Sequence, residues 1–203
     1  MLIFLGLLSG ALSTAAFMPY IRDTYLGRTQ PERASWLIWS VLGTIAFLGQ
    51  VSEGASSSLW LGGAQILGTI AVFLMSLSLG RGVYLCKGNC KILLCAAVGL
   101  VMWYLTETAA FALAIIISIN LLGGWVTVVK AYHNPQSETL VTWVISAIAS
   151  ICAIVSVGSY DPVILAYPAY LLVLNSAIST AILLGRYKAT KHFAPKAVQS
   201  AFT

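Results

Sequence analysis

Four uncharged amides, Gln50, Gln65, Asn120 and Asn175, sit inside apolar stretches free of charged side chains. A primary amide carries two donors and a carbonyl acceptor, which suits a neutral polyhydroxylated or amide-bearing solute. It equally suits one helix hydrogen-bonding another, a contact worth about 0.6–2 kcal/mol in a bilayer. Two tryptophan stripes accompany the amides. Trp36 and Trp39 share a helix face with Gly43, Phe47 and Gln50, and Trp143 shares one with Ser146 and Ser150. An aromatic face beside small and amide residues can stack a sugar or nucleoside ring, while Trp is also a common anchor at membrane–water boundaries. Glu107, within Thr106-Glu107-Thr108, is a candidate proton site. A proton-coupled carrier needs an embedded carboxyl whose titration has been moved by desolvation. A helix start asks only for an acid in its first turn.

Other chemistry lacks its parts. Both histidines, His133 and His192, fall outside the apolar stretches, so an embedded base for intramembrane proteolysis is missing. Cys86 and Cys90 form a lone C-x3-C, and zinc wants four ligands, so neither a metal nor a cofactor is expected. No phosphate-binding loop appears, and no lysine lies between Pro162 and Gly185 to hold retinal. An enzyme is not expected.

The elements that carry these residues follow from composition. The 203 residues are 59% hydrophobic and 8% charged, against roughly 45–50% and about 25% in soluble domains. Intervals free of Asp, Glu, Lys and Arg run over 1–21, 34–52, 54–80, 92–106, 108–129, 139–160 and 162–185. A helix needs roughly 20 apolar residues to cross a bilayer, so seven spans are predicted, with Pro19 ending the first. Under that threading all 11 Lys and Arg fall on one side, and Glu53, Glu107 and Asp161 on the other. Cytoplasmic loops are rich in Lys and Arg, which predicts an integral membrane protein with the N-terminus outside and the C-terminus cytosolic. The net charge of +5 therefore reports topology and no nucleic-acid partner. The basic tail faces the anionic lipid of the cytosolic leaflet.

The chain also repeats itself. Tyr25 and Trp36, with Ser35 beside the Trp, return as Tyr132 and Trp143 with Thr142, at an offset of 107. Leu79-Gly80-Arg81 returns as Leu184-Gly185-Arg186 at an offset of 105, which pairs Asn175 with Ile70. Spans one to three thus match spans five to seven. An odd number of spans precedes the second copy, so the two copies point the same way. The predicted fold is an all-α membrane protein of seven transmembrane helices, two parallel triple-helix repeats joined by a linker helix. The units are 1–82, a linker over 83–107, 108–187 and a basic tail over 188–203.

A three-plus-one-plus-three chain with an outside N-terminus resembles the SWEET sugar transporters and the wider PQ-loop superfamily, parallel-repeat transporters. Pro135-Gln136 spells the dipeptide, and Pro19 and Gln30-Pro31 lie in the matching part of the first copy. The nicotinamide-riboside carriers share the arrangement. The resemblance implies alternating access between two bundles around a midplane site, with Asn175 in the place of the family's ligand-binding Asn. The expected function is a small secondary transporter or facilitator for a small neutral polar solute, sugar- or nucleoside-like. Asn175, Asn120, Gln65, Trp36, Trp143 and Gln50 would line its site. The alternative is a receptor or interaction protein on the same fold, as in the seven-helix KDEL receptors, with Arg22, Arg28 and Arg33 as a docking surface. The chain does not decide between a monomer and a homo-oligomer.

Overall fold

A computed structural model describes residues 1–80 and 109–193, with Leu94, Val98 and Val101 as isolated helical positions between them. Six helices account for almost all of it: α1 Leu2–Tyr25, α2 Arg33–Ser52, α3 Leu59–Leu79, α4 Ala109–His133, α5 Leu140–Ser156 and α6 Pro162–Phe193. A single 3-10 turn, Pro135–Ser137, joins α4 to α5. Five of the helices are long and apolar enough to cross a membrane, and α5 is shorter at 17 residues. The protein is an all-helical, multi-pass membrane protein by these criteria. Leu94, Val98 and Val101 aside, the expected linker over 83–107, with Glu107, Cys86 and Cys90, lies outside the described residues, as does the tail from 194 onward.

Each boundary has a local cause. The Glu32 carboxylate accepts from the Ser35 N–H at 2.7 Å and starts α2, while Asp161 Oδ1 accepts from Val163 N–H at 2.8 Å and starts α6. Both satisfy donors that a helix N-terminus leaves free. Gly27 ends α1 at φ 69°, a left-handed conformation that costs other residues a clash. Two boundaries differ from the sequence expectation. Pro19 does not end α1, which runs on to Tyr25. A proline in a helix interior forfeits one backbone hydrogen bond, and here the next turns re-form, with Leu26 N–H reaching Arg22 O at 3.0 Å. α6 continues past Tyr187 to Phe193, so the basic segment begins as helix.

The side chains are sorted for lipid rather than water. On α5, Val141, Val144, Ile148, Ile151 and Val155 are exposed, whereas Thr142, Ser146, Ser150 and Ser156 are buried. Hydrocarbon offers polar groups no partner, so they turn inward.

Packing follows one rule twice. α3 packs on both α1 and α2, and α6 packs on both α4 and α5. Between the two trios, α1 meets α5 and α2 meets α4. Exchanging first, second and third helices of one trio for those of the other leaves these contacts unchanged. Close approaches mirror each other too. A Cβ on Gly68 would lie 2.2 Å from the Phe17 ring, and one on Gly124 would lie 2.4 Å from Leu174 Cδ1. The first trio puts the large residue on its first helix, and the second puts it on its third. Glycine permits these contacts by omitting the side chain.

The charged ends also separate. Gln30 N–H reaches Ser137 O at 3.4 Å, so the turns after α1 and α4 share one end. Arg33 Nε donates to Ser76 O at 2.8 Å, and Lys188 lies 5.3 Å over the Tyr132 ring, which brings the ends of α3 and α6 there. Arg22, Arg28, Arg33, Lys130, Arg186 and Lys188 therefore gather at this basic end. Glu53 and Asp161 lie at the other. α3 finishes at the basic end and α4 begins at the opposite one.

Candidate binding cavity

A cavity of about 50 Å³ lies between the two trios, and every one of the six helices lines it. α1 gives Phe17; α2 gives Trp36 and Trp39; α3 gives Gln65 and Thr69; α4 gives Asn120. α5 adds Thr142, Trp143 and Ser146, and α6 adds Tyr167, Tyr170, Leu171, Leu174 and Asn175. No charged side chain is among these lining residues. The space suits roughly three or four waters.

The polar groups around it are poorly satisfied. Trp39 Nε1, Asn120 Nδ2, Thr142 Oγ1, Tyr170 Oη and Asn175 Nδ2 are all buried without a hydrogen-bond partner. Asn120 and Asn175 are each only 2% exposed. Buried polar groups are nearly always paired, and one left alone costs about 1–3 kcal/mol. Five such atoms belong to residues that line one cavity, which sets it apart from an ordinary apolar core.

An aromatic wall closes the cavity toward the basic end. Trp36 stands 5.2 Å from Trp39 edge-on, 5.0 Å from Tyr20 and 6.4 Å from Trp143. Phe17 meets Trp36 edge-on at 6.3 Å. All three tryptophans are buried, so they line the interior and do not anchor the chain to a lipid boundary.

Beneath that wall the two turns are tied together. Lys130 Nζ lies 2.8 Å from Glu138 Oε1 and donates to the Gln30 carbonyl at 2.7 Å. Trp143 Nε1 donates to Glu138 Oε2 at 3.1 Å. Thr139 Oγ1 donates to Asp23 Oδ2 at 2.9 Å, so the 2.6 Å contact between the Thr29 and Thr139 hydroxyls has Thr29 as donor. Glu138 is 4% exposed. Burial pushes its carboxyl above the usual carboxylate range, partly offset by Lys130 and by the Trp143 N–H.

Five of the sequence-predicted site residues meet at the cavity: Asn175, Asn120, Gln65, Trp36 and Trp143. Gln50 does not. It is buried elsewhere on α2, with Nε2 donating to Ala46 O at 3.4 Å and Oε1 unpartnered. The helical stripe that includes Trp36 runs too far along α2 to keep its last member at the cavity. Ile70, which the offset of 105 pairs with Asn175, is 37% exposed, whereas its neighbour Thr69 lines the cavity. Gly80 ends α3, while Gly185 lies within α6. Tyr167 and Tyr170 were not anticipated, although with Leu171, Leu174 and Asn175 they form one helical stripe. No family model matches the chain, and no curated protein or solved structure matches it.

Proposed function

We propose that this chain is a small secondary carrier or facilitator for a neutral polar solute, working by rocking two parallel three-helix bundles about the shared cavity. The linker expected over 83–107 completes a seven-helix, SWEET-like arrangement in this reading, with the basic end cytosolic. The observation that carries it is the group of five unpartnered polar atoms around an aromatic-walled cavity that six helices build together. Because the cavity spans the seam between trios, a relative tilt of the two changes its volume and its access at once. At about 50 Å³ the cavity is smaller than a sugar or nucleoside, so in this reading loading a solute requires the two trios to tilt apart. The lining favours a carrier of neutral solutes over a receptor for a charged peptide, since a charge buried there would lack a counter-ion.

Purified protein in liposomes, assayed by exchange of radiolabelled sugars, nucleosides and small amides, tests this. Saturable exchange of at least one solute is expected, weakened by Asn120→Ala and by Asn175→Ala. Permeation no faster than through empty vesicles for the whole panel would reject it.

A further inference from the structure

Trp36 and Trp143 hold matching places in the two trios, at the offset of 107, and their rings meet across the seam. The ring centroids lie 6.4 Å apart, with the planes 36° from parallel. Both residues line the cavity and both are buried. A flat ring held between two others puts their centroids about 7 Å apart, two carbon contacts of about 3.5 Å each. A tilt of one trio against the other therefore has little to do: it must bring this pair near parallel and slightly further apart. We propose that Trp36 and Trp143 form a clamp that closes on both faces of a flat, uncharged nitrogen heteroaromatic ring of nucleobase type, which makes such rings the preferred solutes of the cavity. The proposal rests on the carrier reading above, whose solute it narrows.

The surroundings of the pair suit a plane. Trp39 stands edge-on to both rings, at 5.2 Å from Trp36 and 6.1 Å from Trp143. Tyr20 lies 5.0 Å from Trp36 and 6.1 Å from Trp143. Tyr20, Trp36 and Trp39 all belong to the first trio, so three of the four rings move as one unit and Trp143 moves with the other. A slot that opens between two planes admits a plane first. The axial hydrogens of a sugar chair thicken it on both faces and would hold the pair wider apart.

Trp143 is also fixed in direction. Its Nε1 donates to Glu138 Oε2 at 3.1 Å, and Glu138 Oε1 is paired with Lys130 at 2.8 Å. A hydrogen bond to a carboxylate polarises the indole, and an electron-rich face prefers offset stacking on an electron-poor ring. A nitrogen heteroaromatic is such a ring, and an aliphatic sugar is not. Its edge carries donors and acceptors in one plane. Among the lining residues, Asn120, Asn175, Thr142 and Tyr170 each have a polar side-chain atom without a partner. The lining residues carry no charge, so an ionised ring would enter without a counter-ion.

Equilibrium binding to the full chain in detergent tests this without any transport, with radiolabelled uracil and adenine as the probes. At least one should bind saturably to wild type, and glucose in large excess should leave the label bound. Trp36→Leu and Trp143→Leu should each weaken binding about tenfold, the order expected for one lost base–aromatic stack. Trp36→Phe and Trp143→Phe, which keep a ring, should bind more tightly than the corresponding leucine variants. The unfolding midpoint of each variant without ligand separates lost binding from lost fold, and the wild-type competition needs no variant. Glucose displacing the label, or leucine and phenylalanine variants that bind alike, would overturn the proposal. Saturable sugar exchange in liposomes by a protein that binds neither base would reject the clamp and leave the carrier reading standing. Base binding with no exchange of any solute would support the clamp and reject the carrier.

Discussion

The turn after α1 and the turn after α4 occupy matching places, yet the two are chemically opposite. At the offset of 107, Asp23 corresponds to Lys130 and Pro31 to Glu138. Each helix end reaches across to the other trio: Lys130 to Gln30 O, and Asp23 to the Thr139 hydroxyl. The first of these carries a buried ion pair, and the second a half-buried acid with a hydroxyl. The cavity divides in the same manner. At the same offset Asn120 stands where the first trio has Ser13, and Ser146 where it has Trp39. Each trio lines the cavity with three aromatic residues, while the second alone supplies both asparagines and the buried carboxylate. The two trios pack in the same pattern, and their side chains differ at these places.

The sharpest way to break this comparison is at the charges. Lys130→Met leaves Glu138 buried without its cation and should cost about 3 kcal/mol, read as a lower unfolding midpoint in lipid or mild detergent. Adding Glu138→Gln should restore most of it, and a double variant no better than the single would remove the ion pair from the account. A smaller effect is expected where the trios mirror each other's packing. Gly68→Ala should lose about 1–3 kcal/mol against the rigid Phe17 ring, and Gly124→Ala less, because the end of Leu174 can turn away. Phe17→Leu should rescue Gly68→Ala. If the two glycine variants are equally costly, ring rigidity is not the reason.

The cavity asymmetry should then show in solute binding. Asn120→Ala and Asn175→Ala should each weaken apparent affinity roughly tenfold, the order expected for one lost hydrogen bond in a closed site. Ser13→Ala, its first-trio counterpart, should leave affinity unchanged in the same exchange assay. The smallest effect belongs to Asp23→Asn, about 0.5–1 kcal/mol, since the amide oxygen still accepts from Thr139. A loss as large as that of Lys130→Met would mean the two crossings are energetically alike.

Much of the candidate site was legible because bilayers punish waste. An amide in an apolar stretch must face something polar, which picked out Asn120, Asn175 and Gln65 before any geometry. Gln50 is buried away from the cavity, with only its Nε2 bonded to its own helix, an outcome that spacing alone does not distinguish. Trp36 and Trp143 read equally well as boundary anchors, and only the meeting of α1, α2 and α5 makes them an interior wall. Glu138 was invisible as a site. In the chain it is one more charge between two apolar intervals, next to Pro135-Gln136.

Hydropathy and the spacing of charges determined that this protein is a helical membrane protein. Those features depend on each segment's own transfer from water to lipid, so they can be read one segment at a time. Which amides share a cavity, and that Glu138 is buried against Lys130 and Trp143, depend on neighbours in space rather than in sequence. Only the packing of one trio against the other decides them, because burial and hydrogen bonding are properties of neighbours in space.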